Sequence, residues 1–382
     1  RIPASQSLDL RRDQSGYALR RELTHGFAYW DCRVDDARLV VLNARAAAQR
    51  GAVIETRTRL VSARPEDGAW RIALEHAGVA RDVHARVLVN AAGPWVRGVG
   101  GELGAANSAA QLRLVKGSHI VVPRITGAND AYLCQSADGR VVFAIPYEER
   151  FTLIGTTEVA YTGDPAAAAI SGDEEEYLLA LTRQFFASPP TREDIVWSFA
   201  GVRPLYEDAI DAGADASSVS RDYRFELSEE SGAPLLTVLG GKLTTYRRLA
   251  EAALAKLEPY FPGMGRPWTA SSPLPGGDLG KDGLAGFIKD LCRRHRGFEA
   301  AFLGRLARRY GTLIDDVLGE AESPDDLGAV LGGGLSEREV VYQRDYEWAR
   351  APDDVLWRRT KCGLHMSAEQ RAAAAESIAR LL

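Results

Sequence analysis

The sequence predicts a mixed α/β fold of α+β character: an incomplete nucleotide-binding domain, an antiparallel sheet set into it, and a C-terminal helical domain. Three stretches predict it. Residues 234–257, PLLTVLGGKLTTYRRLAEAALAKL, read as a buried strand, a glycine turn and a helix. Residues 112–159 change to a run of short apolar strands, and beyond a Pro/Gly-rich stretch at 267–280 the chain reads as helical to its end.

The elements follow in order. Residues 1–30 are polar, Arg-rich and weakly periodic, so little fixed structure is expected there. Asp35-Asp36 caps a helix through about Arg50, with Leu39, Val40, Asn43, Ala46 and Ala47 on one face. A strand over 52–64, a turn at Pro65-Glu66-Asp67-Gly68 and strands over 70–75 and 82–90 come next. The last opens into the small-residue turn of NAAGPW. This helix and these strands read as part of the nucleotide-binding domain. The segments RLVKGSHIVVP, AYLCQ, RVVFAIPY and FTLIGTTEV form the antiparallel sheet, with turns at Asp138-Gly139 and near Glu148-Glu149. A helix is expected over 171–188, a strand over 195–206, and a hairpin from 223–227 to 235–239. Beyond the linker, helices are expected around 284–296, 299–310, 336–347, 353–360 and 367–381. The domain divisions are 1–111, 112–232, 233–266 and 267–382.

Composition narrows the function classes. A chain of 382 residues with 46% hydrophobic and 26% charged residues is that of a folded protein with a large core. A net charge of −5 gives no general attraction to nucleic acid. The 4 cysteines and 6 histidines lack metal-ligand spacing, so no metal is expected, and the cysteines read as reduced thiols. No apolar run approaches ~18 residues, so no membrane span is expected. The first residues given do not read as an apolar signal segment, and the chain starts without a Met and reads as part of a longer one.

A dinucleotide domain should open on strand–GxGxxG–helix. Gly98, Gly100 and Gly101 approach the pattern, but Leu103 stands at its sixth position. Gly332-Gly333-Gly334 sits among helices. The Gly240-Gly241-Lys242 turn is no P-loop, because Leu243 replaces the Ser/Thr and Leu236 the first glycine. Its glycines, the helix N-terminus behind them and the lysine charge nonetheless favour an anion. Spacing alone leaves that open against an ordinary strand-to-helix connection.

Several segments then read together: FAYWDCRVDDARL (27–39), NAAGPW (90–95), KGSHIVVP (116–123), FAIPY (143–147), IGTTEV (154–159), GVRPL (201–205), GGKLTTYR (240–247) and DDVLWRRTKCGL (353–364). In this order they resemble the FAD-dependent, aerobic type of glycerol-3-phosphate dehydrogenase, from about residue 20 to the end. The resemblance makes the first domain an incomplete FAD-binding domain, with roughly a hundred residues holding the first βαβ unit absent. It implies hydride transfer from C2 of sn-glycerol 3-phosphate to FAD, giving dihydroxyacetone phosphate, with electrons passed to quinone. It also implies a homodimer in the cytoplasm, peripheral on the inner face of the cytoplasmic membrane. The alternatives are a glycerophosphate oxidase that uses O2, and a non-enzymatic remnant that binds no FAD.

The same resemblance singles out residues. His119 is the candidate base for the hydroxyl proton, a task an imidazole suits; a lone histidine on a mixed strand is more often simply packed. Arg203 is the candidate phosphate grip, since its fork matches a phosphate; a partner in Glu207 or Asp208 is the plainer alternative. Arg221 is a second substrate contact, or a solvated arginine. Gly240, Gly241, Lys242, Leu243 and Thr244 would lie by the flavin pyrimidine edge, where reduction places negative charge. Lys242 would also reach the substrate phosphate, and Thr244 and Thr245 are otherwise plain caps. Ala91, Ala92 and Gly93 would let the adenine half of FAD pass close by. Lys116, Gly117 and Ser118 shape the approach of His119. The basic and apolar residues alternating through 284–310 fit an anionic lipid surface, or equally a solvated basic face.

Overall fold

The computed structural model describes residues 3–103, 111–136, 139–207, 222–230 and 232–382. They fall into two compact units, Arg1–Asp31 with Arg57–Arg266, and Cys32–Thr56 with Pro267–Leu382.

In the first unit the polar N-terminal stretch is ordered after all. Strands β1 (Gln6–Asp9) and β2 (His25–Ala28) pair antiparallel. Ala18 is buried, Leu19 bridges to Phe186, and Tyr132 Oη donates to the Ser15 carbonyl at 2.8 Å. These partners lie far along the chain, so no local period announces them. Helix α1 (Asp36–Ala48) then belongs to the second unit.

Strands β3 (Thr58–Glu66), β4 (Ala69–His76) and β5 (Val79–Ala85) form a meander. Asp67-Gly68 (φ 52° and 77°) and Ala77-Gly78 (φ 50° and 80°) turn it, both residues left-handed as tight hairpins require. The strand expected from residue 52 begins at Thr58, and the one expected over 82–90 breaks into β5 and β6 (Leu88–Asn90). Trp70 is fully buried, and its Nε1 donates to the Pro234 carbonyl at 2.8 Å. A short 3-10 turn and α2 (Val96–Glu102) follow β6.

The antiparallel sheet is built around β7 (Gln111–Pro123). Its strand order is β11-β7-β10-β9-β8, from β8 (Tyr132–Gln135), β9 (Val141–Tyr147), β10 (Phe151–Gly155) and β11 (Val159–Ala160). Helix α3 (Gly172–Phe185), opened by a Ser171/Glu174 capping box, covers one face with Leu178, Leu179 and Leu181 against Ile120, Val122 and Ile154. Strand β12 (Trp197–Glu207) takes the other edge of β7. Strand β13 (Tyr223–Ser228) pairs antiparallel with β14 (Leu235–Gly240), which pairs parallel with β6, and α4 (Tyr246–Leu257) follows β14.

The second unit holds α1, α5 (Gly283–Arg294), α6 (Ala300–Tyr310), α7 (Ile314–Leu318), a small hairpin of β15 (Val330–Gly332) and β16 (Leu335–Ser336), α8 (Glu337–Tyr346) and α9 (Ala368–Leu381). Residues Asp354–Arg359 wind as a π-helix, and Thr360 N donates to the Val355 carbonyl at 3.1 Å. Ion pairs fix α1 here rather than beside the meander. Arg38 grips Glu347 through both terminal nitrogens at 2.6 and 2.9 Å, and Lys361 Nζ reaches Asp35 at 2.7 Å. The apolar residues of 284–310 turn inward, with Leu291, Phe298, Leu303 and Leu306 buried. Several of the cations alternating with them are paired: Arg309 with Glu339 at 2.6 Å, Arg294 with Asp315 at 3.0 Å, and Arg293 with Asp290. No helix among the described residues is long and apolar enough to cross a membrane.

Candidate functional site

Pleating sends alternate side chains of β7 to opposite faces. Lys116 and Ser118 go to the face covered by α3. There they meet Glu174, the N3 residue of that helix. Lys116 Nζ lies 2.8 Å from Glu174 Oε2, while Ser118 Oγ and Thr157 Oγ1 donate to Oε1 at 2.8 and 2.7 Å. Thr157 Oγ1 also accepts from the Ser118 amide at 2.9 Å. Burial pushes the Glu174 carboxyl up, but hydrogen bonds from Lys116, Thr157, the Ser171 amide and Ser118 outweigh it and hold it at about 2. Lys116 and Ser118 are thus anchors beneath the site, on the side away from His119.

This cluster carries a stability prediction. Glu174→Ala strands the Lys116 ammonium in a buried place and costs about 3–5 kcal/mol, read by denaturant unfolding at neutral pH. The carboxyl is depressed in the folded state. Its contribution is therefore full above the ordinary value of 4.5 and is lost as pH falls from there through about 2. Glu174→Gln should show no such loss in that window, and an acid limb as steep as the parent's would refute the assignment.

His119 points to the opposite face, half-buried. Its ring stacks on Phe199 of β12, centroids 5.0 Å apart and planes 11° from parallel, and Phe199 in turn packs on Trp197 at 4.8 Å. On the β10 side its register partner is Gly155, where any Cβ would overlap the imidazole. The ring is therefore held between an aromatic face and a bare backbone.

Arg203 lies on the same face. It pairs with Val115, while Phe199 pairs with His119 and Gly201 with Gly117 between them. A Cβ on Gly117 would sit 2.8 Å from Arg203 Nη2, so the guanidinium lies across bare Gly117 backbone. That is one register step, about 7 Å along the strand, from His119. Its Nη1 donates to Glu158 Oε1 at 3.1 Å and its Nη2 to Thr156 Oγ1 at 3.2 Å, while the side chain of Glu207 lies outside the described residues. Asp208 and Arg221 lie outside the described residues.

The turns converge close by. β6 and β14 run parallel, with Asn90 opposite Thr237. Ala91-Ala92-Gly93 and Gly240-Gly241-Lys242 thus leave the carboxyl ends of neighbouring strands, where open α/β sheets bind ligands. Asn90 braces the first turn: its Oδ1 accepts from Ala92 N at 3.3 Å and its Nδ2 donates to the Val96 carbonyl at 2.9 Å. Gly240 and Gly241 have φ of 73° and 101°. A Cβ on Gly240 would meet the Asp222 carbonyl at 2.7 Å and Tyr206 Cβ at 3.7 Å, so the end of β12 presses on this turn. Val96, Leu239, Ala92 and Tyr206 pack where NAAGPW, GVRPL and GGK meet. Lys242, Leu243 and Thr244 are exposed. Thr245 makes no side-chain cap; its Oγ1 donates back to the Lys242 carbonyl at 3.1 Å.

The donors and open space at these turns fit FAD. The 3-10 turn Leu243–Thr245 opens on Lys242 with no side-chain cap, leaving amides and an ammonium exposed as donors, and a Cβ on Gly93 would meet nothing within 4 Å. Residues that the motifs alone did not single out are Glu158, Glu174, Thr156, Thr157, Gly155 and Phe199. The GTTE of 155–158 lay in a quoted motif, but only strand pairing reveals which of its side chains faces Arg203.

Comparison with known proteins agrees. Residues 3–247 match the family model "FAD dependent oxidoreductase", and residues 267–382 match "C-terminal domain of alpha-glycerophosphate oxidase". The chain is 47% identical to a glycerol-3-phosphate dehydrogenase of Pseudomonas aeruginosa, over 97% of this chain and 72% of that protein. It is 43% identical to a D-erythritol 1-phosphate dehydrogenase of Brucella abortus, over 98% of this chain and 75% of that one. The crystal structure of a glycerol-3-phosphate dehydrogenase from Bacillus halodurans complexed with FAD superposes with a TM-score of 0.77 at 25% identity, covering 100% of this chain and 82% of that one. With this fold, these turns and these relatives, the chain belongs to the FAD-dependent glycerol-3-phosphate dehydrogenase family, an oxidoreductase whose cofactor is FAD.

Proposed function

We propose that this chain oxidises sn-glycerol 3-phosphate at C2 to dihydroxyacetone phosphate. The observation that carries this is the placement of His119 and the Arg203 guanidinium on one face of the antiparallel sheet, the guanidinium lying over Gly117, about 7 Å along β7 from His119. FAD, when bound, supplies the hydride acceptor. Arg203 grips the phosphate with its planar fork. His119 takes the C2 hydroxyl proton, its ring plane fixed by Phe199. Lys242 and the amides of its turn stabilise negative charge at the pyrimidine edge of the ring, and Lys242 adds charge toward the phosphate. Ala91, Ala92 and Gly93 pass the adenine half, and Arg221 is a second substrate contact. The electrons go to quinone at the inner face of the cytoplasmic membrane, with the protein bound peripherally as a homodimer.

The Brucella abortus relative favours a second substrate, a four-carbon polyol phosphate with the same phosphate end. Anaerobic bleaching of the FAD-loaded protein separates the two. Glycerol 3-phosphate should bleach the flavin at a lower half-saturating concentration than D-erythritol 1-phosphate; bleaching by the erythritol compound alone, or by neither, overturns the proposal. Peroxide yield in air distinguishes O2 from quinone as the acceptor.

A further inference from the structure

Arg203 already has an anion beside it. Glu158 Oε1 stands 3.1 Å from its Nη1, with the Glu158 side chain 18% exposed and that of Arg203 36%. Thr156 Oγ1 accepts from Nη2 at 3.2 Å and donates to the Thr157 carbonyl at 3.0 Å. Both terminal nitrogens of the fork therefore carry a protein partner. A phosphate that takes both nitrogens end-on must displace or share at least one of these.

The segment holding these partners is pinned from below. Thr157 reaches to the covered face, where its Oγ1 donates to Glu174 and accepts from the Ser118 amide. Its own amide donates to the Ser118 carbonyl at 3.3 Å. Thr156 and Glu158, on either side of it, reach Arg203 instead. Bare backbone at Gly117 leaves room for the guanidinium beside Thr156, since a Cβ there would sit 2.5 Å from Thr156 Oγ1 and 2.8 Å from Arg203 Nη2. On the neighbouring strand a Cβ at Gly201 would meet nothing within 4 Å, which leaves space on that face.

We propose that Glu158 is a counter-ion latch. It neutralises Arg203 and holds it across Gly117, and a phosphate-class anion must displace it to bind. This rests on the assignment of Arg203 to the phosphate. A carboxylate that positions the fork also repels the incoming dianion, so it lowers affinity while pre-orienting the grip. Release of the phosphorylated product is assisted by the same exchange in reverse. Glu158 is thus a positioning residue, acting through Arg203.

The sign of the effect tests it. Inorganic phosphate is titrated into the FAD-loaded protein by calorimetry. Glu158→Gln keeps the shape and removes the charge, and should bind phosphate about tenfold tighter than the parent. Glu158→Ser, a second neutral variant, should shift in the same direction, whereas Glu158→Asp should stay near the parent. The KM for glycerol 3-phosphate should fall with the phosphate Kd in the neutral variants. Phosphate bound equally or more weakly by both neutral variants overturns the latch. Arg203→Ala separates the failures. If it leaves phosphate binding intact, the assignment of Arg203 is wrong and the latch falls with it. If it abolishes binding while the neutral variants match the parent, only the latch is wrong.

Discussion

Replacing His119 by glutamine should slow flavin reduction by glycerol 3-phosphate about 10²–10⁴-fold, the range that a positioned general base contributes. Glutamine keeps a hydrogen-bond donor of similar reach but cannot take a proton near neutral pH. If His119 only hydrogen-bonded the substrate, much of the rate would survive. The loss should appear in the first-order reduction rate and not in the substrate concentration at half-saturation. Phe199 and Gly155 hold the ring on both sides, so the change removes the base without opening the sheet. Unchanged melting alongside slowed reduction would separate chemistry from folding.

Arg203→Ala should act on the other parameter. It removes a charge-assisted fork from a half-exposed site, worth about 2–4 kcal/mol, or about 30–1000-fold in kcat/KM. Most of that should appear as a raised KM. Arg203→Lys should fall between, since an ammonium keeps the charge but not the two parallel N–H groups. Arg203→Ala also leaves Glu158 facing the substrate phosphate, so restoring neutrality with Glu158→Gln in the same chain should recover part of the affinity.

The strand–glycine turn–helix unit over 234–257 was legible in the sequence because its signals are local. A strand, two glycines and an amphipathic helix sit in one run of residues, and both glycines adopt the left-handed backbone that makes glycine necessary there. The family and its FAD followed from motifs spread along the whole chain. The supports beneath the face that carries His119 and Arg203 were not legible. Glu174 stands in a run of acidic residues, Asp173 to Glu176, that reads as a solvated helix start. Its role depends on the face of β7 that α3 covers. Glu158 likewise looks like a strand-end charge until β12 is laid beside β7 and brings Arg203 over Gly117. Distance along the chain hid the place of α1. Its helical period and its Asp35 cap were visible, but the Glu347 that fixes it lies 309 residues away from Arg38. The N-terminal hairpin went unseen because its anchors, Ala18 and Leu19, are small isolated contacts rather than a periodic face.

The claim at the centre is that one face of the antiparallel sheet binds and deprotonates the phosphorylated alcohol. Anaerobic stopped-flow reduction of the FAD-loaded protein by glycerol 3-phosphate tests it most directly, comparing the parent, His119→Gln and Arg203→Ala. The predicted result is a split: a slowed limiting rate with near-parent half-saturation for His119→Gln, and a raised half-saturation for Arg203→Ala. Parent-like rate and half-saturation in both variants would contradict it.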